Sequence, residues 1–444
     1  MGYKHYVVTP IAHALGLSAP SVNRPHTHAS WGAKNFRMVQ SSPQKRLGYE
    51  EYRDLGAGVD IQRIIHYRDA TLSDSTIVLT DTDAIKIETA AGKTWSYINT
   101  EYTTGTAQVN ASPPGATNAQ IDGAGTPDWV DATDITAPAI GDKFILDADW
   151  TADEEPDASW REILTVDSDT QITLTSTYDE DQVATAAYTI RKKYAVPTNE
   201  RWSWCIVQDA SNNNLLIFTN GGDYVQSWNG AGTATALDST NAVKARYCLE
   251  YADRLILADM YLAGSRRAYT VKCSKNGDPT DWTDSTAAEY DLIETEDIIM
   301  GLGRIGNSMV VYKEDSLIFA NRTGRSTDPL EFPTHRKGIG TPAPYSIVQA
   351  MGTNLFLGRD DFYVINGTMP EPIGEPVRAK FFELVNEEEI KRTFGFHNRT
   401  QNEVRWLVTD NDANRWEFVY NYRYKEWYVY ERADKMSCGG KGGI

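Results

Sequence analysis

The chain is poor in the residues that usually announce a function. It has four cysteines, at 205, 248, 273 and 438, and no C-x-x-C pair. That spacing fits neither a zinc site nor a disulfide framework, and it suits free thiols in a reducing compartment. The only close histidine pair is His26 and His28. No Cys or third His accompanies it, so a solvated arm is a better reading than a metal centre. No run approaches the roughly 18–20 apolar residues of a membrane span, and no apolar h-region follows the first residues, so neither a membrane anchor nor a secretory signal is expected. Helical periodicity is scarce; residues 381–394, "FFELVNEEEIKRTF", are the best candidate, with Phe381, Leu384, Val385 and Ile390 on one face. Basic residues are outnumbered, 43 Lys and Arg against 61 Asp and Glu, for a net charge of −18. Such a surface repels phosphate backbones and disfavours non-specific DNA binding, although it would let DNA slide past without sticking. P-loop, G-x-S-x-G and H-E-x-x-H motifs are all missing.

Aromatic and β-branched residues are plentiful. The 444 residues include 24 Tyr and 12 Trp, which suit half-buried pleated surfaces. One pattern recurs: a polar turn, a short apolar run, a second polar turn and a second β-rich run. "NNLLIFTNGGDYVQSWNG" (213–230), "NSMVVYKEDSLIFANRTG" (307–324) and "NLFLGRDDFYVINGT" (354–368) show it most clearly. Longer versions cover 253–277 and 402–427, and a weaker one 75–92. Runs bounded by Gly, Asn and Asp read as antiparallel hairpins. After residue 214 the units recur about every 40–55 residues, the period of propeller blades. Six units predict an all-β, six-bladed β-propeller, with Leu355, Leu357, Val310, Ile217 and Ile256 buried. Asp360 and Asp361 then fall at a hairpin tip.

The expected organisation is an extended N-terminal arm over 1–70, a first blade over 71–99, a small inserted β-barrel or sandwich over 100–197, the remaining blades over 198–432 and a short tail over 433–444. The arm and the insertion lack enough patterned apolar residues for large cores of their own. Their bulky Trp31, Phe36, Trp129, Trp150 and Trp160 are therefore expected to pack on the propeller or on neighbouring subunits. The acidic run Asp147, Asp149, Asp153, Glu154, Glu155 and Asp157 lacks the spacing of an EF-hand and reads as a solvated loop. "SKNGDPTDW" (274–282) has the flavour of a structural Asp-box, with Trp282 wedged between blades. Arg246, Arg254, Arg304 and Glu250 could serve sialidase-like chemistry only if they converged. Neither catalytic residues nor a cofactor is expected.

Residues 35–50, "NFRMVQSSPQKRLGYE", resemble the N-terminal signature of bacteriophage tail hub and nozzle proteins. "CLEYADRLILADM", "SKNGDPTDWTDST" and "YNYRYKEWYVYE" resemble successive blades of that family, and the likeness covers roughly 30–70 and 200–432. It implies a non-enzymatic virion protein made in the host cytoplasm. Such proteins form a homo-oligomeric ring, typically of six copies, below the adaptor and portal, and DNA passes through without specific binding. The lumen is then expected to be acidic, with Glu294, Asp297, Asp360 and Asp361 as candidates. Lys34, Lys45, Arg46, Arg378 and Lys380 would face acidic neighbours in the assembly. A tail-associated propeller that binds or hydrolyses host-surface glycans is the alternative.

Overall fold

Each apolar run of the repeat becomes the second strand of a four-stranded antiparallel sheet. The computed structural model describes residues 28–29, 36–39, 42–45, 60–88, 95–110, 120–130, 136–146, 160–177, 185–238, 244–262, 264–367 and 369–432, the first three stretches as backbone alone. Blade 1 comprises Ile61–Arg68, Asp74–Thr80, Ala84–Glu88 and Trp95–Tyr97. Blade 2 comprises Ser203–Gln208, Asn214–Thr219, Gln226–Trp228 and Thr235–Ala236. Blade 3 comprises Lys244–Tyr251, Arg254–Leu262, Ser265–Cys273 and Ala288–Asp291. Blade 4 comprises Ile299–Ile305, Ser308–Lys313, Ser316–Arg322 and Leu330–Lys337. Blade 5 comprises Val348–Ala350, Thr353–Leu357, Phe362–Ile365 and Pro370–Pro372. Blade 6 comprises Phe394–Asn398, Glu403–Thr409, Arg415–Asn421 and Glu426–Arg432, and His28–Ala29 adds a parallel strand at its outer edge.

The apolar clusters show how these sheets close into a ring. Strand alternation gives each sheet two apolar faces, and six of the clusters join consecutive blades. Ile77 and Leu79 meet Leu216 and Phe218 between blades 1 and 2. Ile217 meets Leu255 and Leu257 between blades 2 and 3, with Trp282 in the same core as expected. Ile256 meets Met309 and Val311, and Val310 meets Phe356, at the next two boundaries. Leu355 and Leu357 meet Trp406 and Phe418 between blades 5 and 6. The last boundary joins blade 6 to blade 1 through Phe394 and Leu407 against Ile61 and Ile64. The fold is thus a six-bladed β-propeller, and the five residues expected in its core are all buried.

The closing seam differs from the other five boundaries. Its apolar part is divided: Tyr345, Phe394 and Leu407 meet Ile61 and Ile64, while Val78, Ile85 and Ile87 on blade 1 and Val419, Tyr428 and Tyr430 on blade 6 form separate small clusters. Blade 1 turns Gln62, His66 and Thr76 towards it, and Gln62 Oε1, His66 Nδ1 and Thr76 Oγ1 are buried with no hydrogen-bond partner among the described residues. On the corresponding face of blade 6, Arg405 pairs with Glu403 and Glu417 at 2.7 Å each, and Arg432 reaches Glu417 at 2.8 Å.

Antiparallel order fixes two ends. First-to-second and third-to-fourth turns lie at one, the far end. Second-to-third turns and all connections between blades lie at the other, the insertion end. One loop design recurs in blades 1, 2 and 6. Asp69, Asp209 and Asp410 each accept hydrogen bonds from the backbone N–H groups two and four residues on. The residue third after each aspartate is left-handed: Leu72 at φ 66°, Asn212 at 61° and Ala413 at 64°. Partial burial alone would raise the Asp410 carboxyl, but hydrogen bonds from Trp416, Asn414 and Asp412 outweigh it and hold it below the usual carboxylate range.

Three expectations need correction. Ile61–Arg68 was expected in the arm and is the innermost strand of blade 1. The single helix expected over 381–394 is two, α1 at Arg378–Leu384 and α2 at Glu387–Arg392. Asn386 is extended and caps α2 by accepting from the Glu389 N–H, which breaks the helix there. The insertion also has its own core. Its seven-stranded sheet runs in the order Glu101–Tyr102, Tyr188–Arg191, Lys143–Leu146, Arg161–Ser168, Gln171–Leu174, Gln120–Ala124, Thr106–Asn110. Ala107 exchanges hydrogen bonds of 2.9 and 2.8 Å with Ala186, so the sheet curls back on itself around Phe144, Ile163, Ile172 and Trp129.

Leu357→Asp should cost several kcal/mol by burying an unpaired charge, and chemical denaturation of the purified variant checks this. Asp410→Ala should cost about 1–3 kcal/mol at neutral pH. Because the folded pKa of Asp410 is depressed, its contribution is present above the unfolded value of about 3.9. It fades as pH falls through the folded value, so melting curves of variant and parent should converge in acid.

Candidate functional site: a charged plug on the propeller axis

The innermost strands of blades 2 and 3, of blades 3 and 4 and of blades 5 and 6 touch one another beside the axis. At the insertion end, two connections cross that space. One brings Glu200, Arg201 and Trp202 from the insertion into blade 2. The other is the short 3-10 turn Pro344–Ser346 ahead of blade 5. Tyr345 on this turn packs with Phe394 of blade 6 and Ile64 of blade 1. The Arg63 guanidinium lies 5.3 Å from its ring centre. A side chain that meets the innermost strands of blades 1 and 6 and also reaches the approach to blade 2 can only lie near the axis.

Tyr345 donates its hydroxyl proton to Glu200 Oε2 at 2.7 Å and accepts from the Arg201 N–H at 2.8 Å. Glu200 Oε1 pairs with Arg246 Nη2 at 2.6 Å. Arg246 then approaches Asp259 at 3.5 Å, and Arg266 clasps Asp259 through both nitrogens at 2.8 and 2.6 Å. The chain Tyr345–Glu200–Arg246–Asp259–Arg266 therefore links blades 5, 2 and 3. Asp259 is fully buried and left-handed at φ 51°, at a register shift between Ala258 and Met260. A bulge re-aims a side chain that regular pleating would point elsewhere. Here it turns a carboxylate towards two guanidinium groups. Burial raises the Glu200 carboxyl, opposed by the Tyr345 hydrogen bond and by Arg246. Burial, and then Glu200, push the Tyr345 phenol far above its ordinary value. These groups satisfy one another, which suits a plug better than a site that must accept a ligand.

The other arginines weighed for hydrolytic chemistry do not join this cluster. Arg254 is buried against the Ser274 and Thr286 carbonyls, at 2.5 and 2.7 Å. It faces Tyr251, about 17 Å along the strand from Arg246. Arg304 pairs with Glu250 at 3.0 Å towards the far end. Among the described residues no group of three or more His, Cys, Asp or Glu could hold a metal ion.

The candidate acids all sit at the insertion end, in two states. Glu294 and Asp360 are exposed, and Asp360 accepts from the Tyr363 hydroxyl at 2.8 Å. Asp297 turns inward to the buried Lys313 at 3.2 Å and to Ser316. Asp361 is buried at the hairpin base, accepting from the Phe362 and Gly374 N–H groups at 2.7 Å and pairing with Arg378 at 2.9 Å. A Cβ on Gly374 would collide with that carboxylate, so glycine is required there. Arg378 thus has an acidic partner in its own chain, as does Lys380, 3.3 Å from Glu383.

Of the bulky groups expected at assembly contacts, Trp129 is buried in the insertion's core and donates to the Tyr188 hydroxyl at 2.8 Å. Trp160 lies 4.7 Å from the Arg191 guanidinium, whose other face meets the Tyr97 ring at 3.4 Å. That sandwich, with buried Asn99 donating to the Lys192 carbonyl at 2.8 Å, fixes the insertion to blade 1. Phe36 and Lys45 face each other across a backbone pair of strands. Trp31, Lys34, Arg46, Trp150, His26 and the acidic run 147–157 lie outside the described residues.

No family model matches the chain, and no curated protein matches it. Among solved structures, Kluyvelomyces marxianus Hsv2 is 5% identical with a TM-score of 0.28, covering 85% of this chain and 99% of that one. Kluyveromyces lactis Hsv2 is 8% identical with a TM-score of 0.29, covering 85% and 100%. The AfRom2 CNH domain is 7% identical with a TM-score of 0.29, covering 82% and 94%. The assignment of the chain to the six-bladed propellers rests on its strand order and closing contact, not on these likenesses.

Tyr345→Phe should destabilise the protein by about 1–3 kcal/mol, since it strips partners from a buried carboxylate and a buried N–H. Glu200 has a raised folded pKa, so its protonated form favours folding fully below the unfolded value of about 4.3. That advantage is lost as pH rises through the folded value. The stability of the parent relative to Glu200→Gln should therefore fall across that window, the opposite trend to Asp410.

Proposed function

We propose that the chain is a structural subunit of a bacteriophage tail hub or nozzle, built into a homo-oligomeric ring that DNA traverses during ejection. The observation that carries this reading is the satisfied plug on the propeller axis: the tunnel that propellers commonly offer a ligand is occupied by Tyr345, Glu200 and Arg246. A conduit must then be formed between subunits, with each propeller as a solid wedge. The rigid tie between insertion and blade 1 supports the same reading, since a projecting unit held by Arg191 and Asn99 keeps a fixed angle to its neighbours. Exposed Glu294 and Asp360 are the acids available to a lumen, where negative charge limits adhesion to phosphate. The ring would dock on the adaptor and portal complex, in the virion.

Particle assembly by the full chain and by a variant lacking residues 104–193 tests the reading. The register of Glu101–Tyr102 with Tyr188–Arg191 puts the ends left by that deletion about five residues apart along one strand, roughly 17 Å, so a Gly-Ser link can join them. The expected result is a folded propeller that no longer forms rings. Normal rings and infectious particles from the deletion variant would refute the role given to the insertion. Tight binding of the full chain to duplex DNA at physiological salt would refute the conduit. Turnover of host polysaccharide by the free protein would favour the glycan reading instead.

A further inference from the structure

Among the described residues the most exposed large apolar side chains are Met351, Leu72, Ile140, Ile293 and Met369, at 75, 74, 72, 71 and 64%. Three of them share the far end on nearby blades. Leu72 tips the first turn of blade 1, and Met351 the first turn of blade 5. Met369 follows in the last turn of blade 5. Tyr424, in the last turn of blade 6, lies between them. Blade 6 stands between blades 5 and 1, and adjacent sheets pack about 10 Å apart, so these tips share one end face across three consecutive blades. Leu72 and Met351 are doubly unfavourable in isolation. Each is left-handed, at φ 66° and 54°, where Gly or Asn would sit without strain, and each exposes an apolar side chain to water. Arg399, Arg423 and Lys425 on the blade 6 turns between them are exposed and make no ion pair among the described residues, while Asp69 lies in the Leu72 turn and exposed Glu371 follows Met369.

The opposite end carries the complement. Ile293 stands in the connection ahead of blade 4, exposed, with Asp291, Glu294 and Glu296 exposed around it. One end of the chain thus offers apolar tips flanking the unpaired cations of blade 6, and the other an apolar residue in an acidic rim. We infer that the far-end surface of one copy docks on the Ile293 surface of another copy of this chain, a head-to-tail contact that joins subunits in series. The inference rests on the ring reading above and supplies its contact. A head-to-tail contact closes into a ring when its rotation divides a full turn.

Sedimentation of the full chain, with parallel melting curves, tests this. Leu72→Gly with Met351→Gly relieves two strained turns, so the double variant should melt no lower than the parent. Its self-association should nevertheless weaken by about 100-fold or more, the scale for removing central contacts. Arg423→Glu and Glu294→Arg should each impair assembly alone, and an equimolar mixture should restore it as an alternating oligomer. Undiminished assembly of the glycine variant, or no rescue in the mixture, overturns this contact and leaves the ring reading standing. A parent chain that stays monomeric at high concentration and low salt overturns both. A variant that melts lower and dissociates assigns the two residues to folding and also overturns the inference.

Discussion

No blade of this protein can bury its own two faces, and every other feature follows from that constraint. A four-stranded sheet with apolar residues on both sides needs a neighbour on each, and only a closed ring gives every sheet two. The clusters obey this strictly: Ile217 serves the boundary between blades 2 and 3, while Leu216, one residue earlier, serves the boundary between blades 1 and 2. A slip of one residue in any strand would exchange those two roles, so register and ring closure specify each other.

Closure creates a second demand at the axis, where first strands converge and side chains crowd. The chain meets it with charge. Two segments far apart in sequence meet through Tyr345 and Glu200, and the network runs on to Asp259, whose bulge interrupts an otherwise apolar strand. Breaking one member of such a buried set strands the others, so the network acts as one unit that holds connections from several blades together. The insertion follows the same logic on a smaller scale, with Arg191 between two aromatic rings and Asn99 bonded to the blade and to the returning chain.

Second strands were legible in the sequence because they lie mid-blade and are apolar on both faces, as in Leu215–Phe218 and Met309–Tyr312. First strands were not. Ile61–Arg68 and Lys244–Tyr251 mix polar residues into every second or third position, because they border the axis and the seam, so blade 1 was placed too late. Fourth strands such as Thr235–Ala236 are too short to leave a pattern. Asn386 with Glu389 is a helix-start signal that could have split the helix in advance. The insertion's core escaped notice because its apolar residues come from brief strands far apart in sequence. The axial plug left no local trace at all: Glu200 and Tyr345 sit in turns, 145 residues apart, and only the fold unites them.

The seam between blades 6 and 1 has a consequence for biosynthesis. Five boundaries join segments that leave the ribosome in succession, so each blade can dock as soon as it emerges. The sixth pairs Ile61 with Phe394 and Leu407, at opposite ends of the propeller, and cannot form until blade 6 has been made. During that wait blade 1 keeps one face uncovered. An apolar face there would invite the nascent chain of a neighbouring ribosome, the characteristic hazard of slow, non-local β pairing. Gln62, His66 and Thr76 place polar groups among Val78, Ile85 and Ile87 on that face, and the carboxylates and guanidinium groups of blade 6 do the same beside Val419, Tyr428 and Tyr430. Polar groups thereby interrupt the apolar surface of the one boundary that must stay open on a polysome.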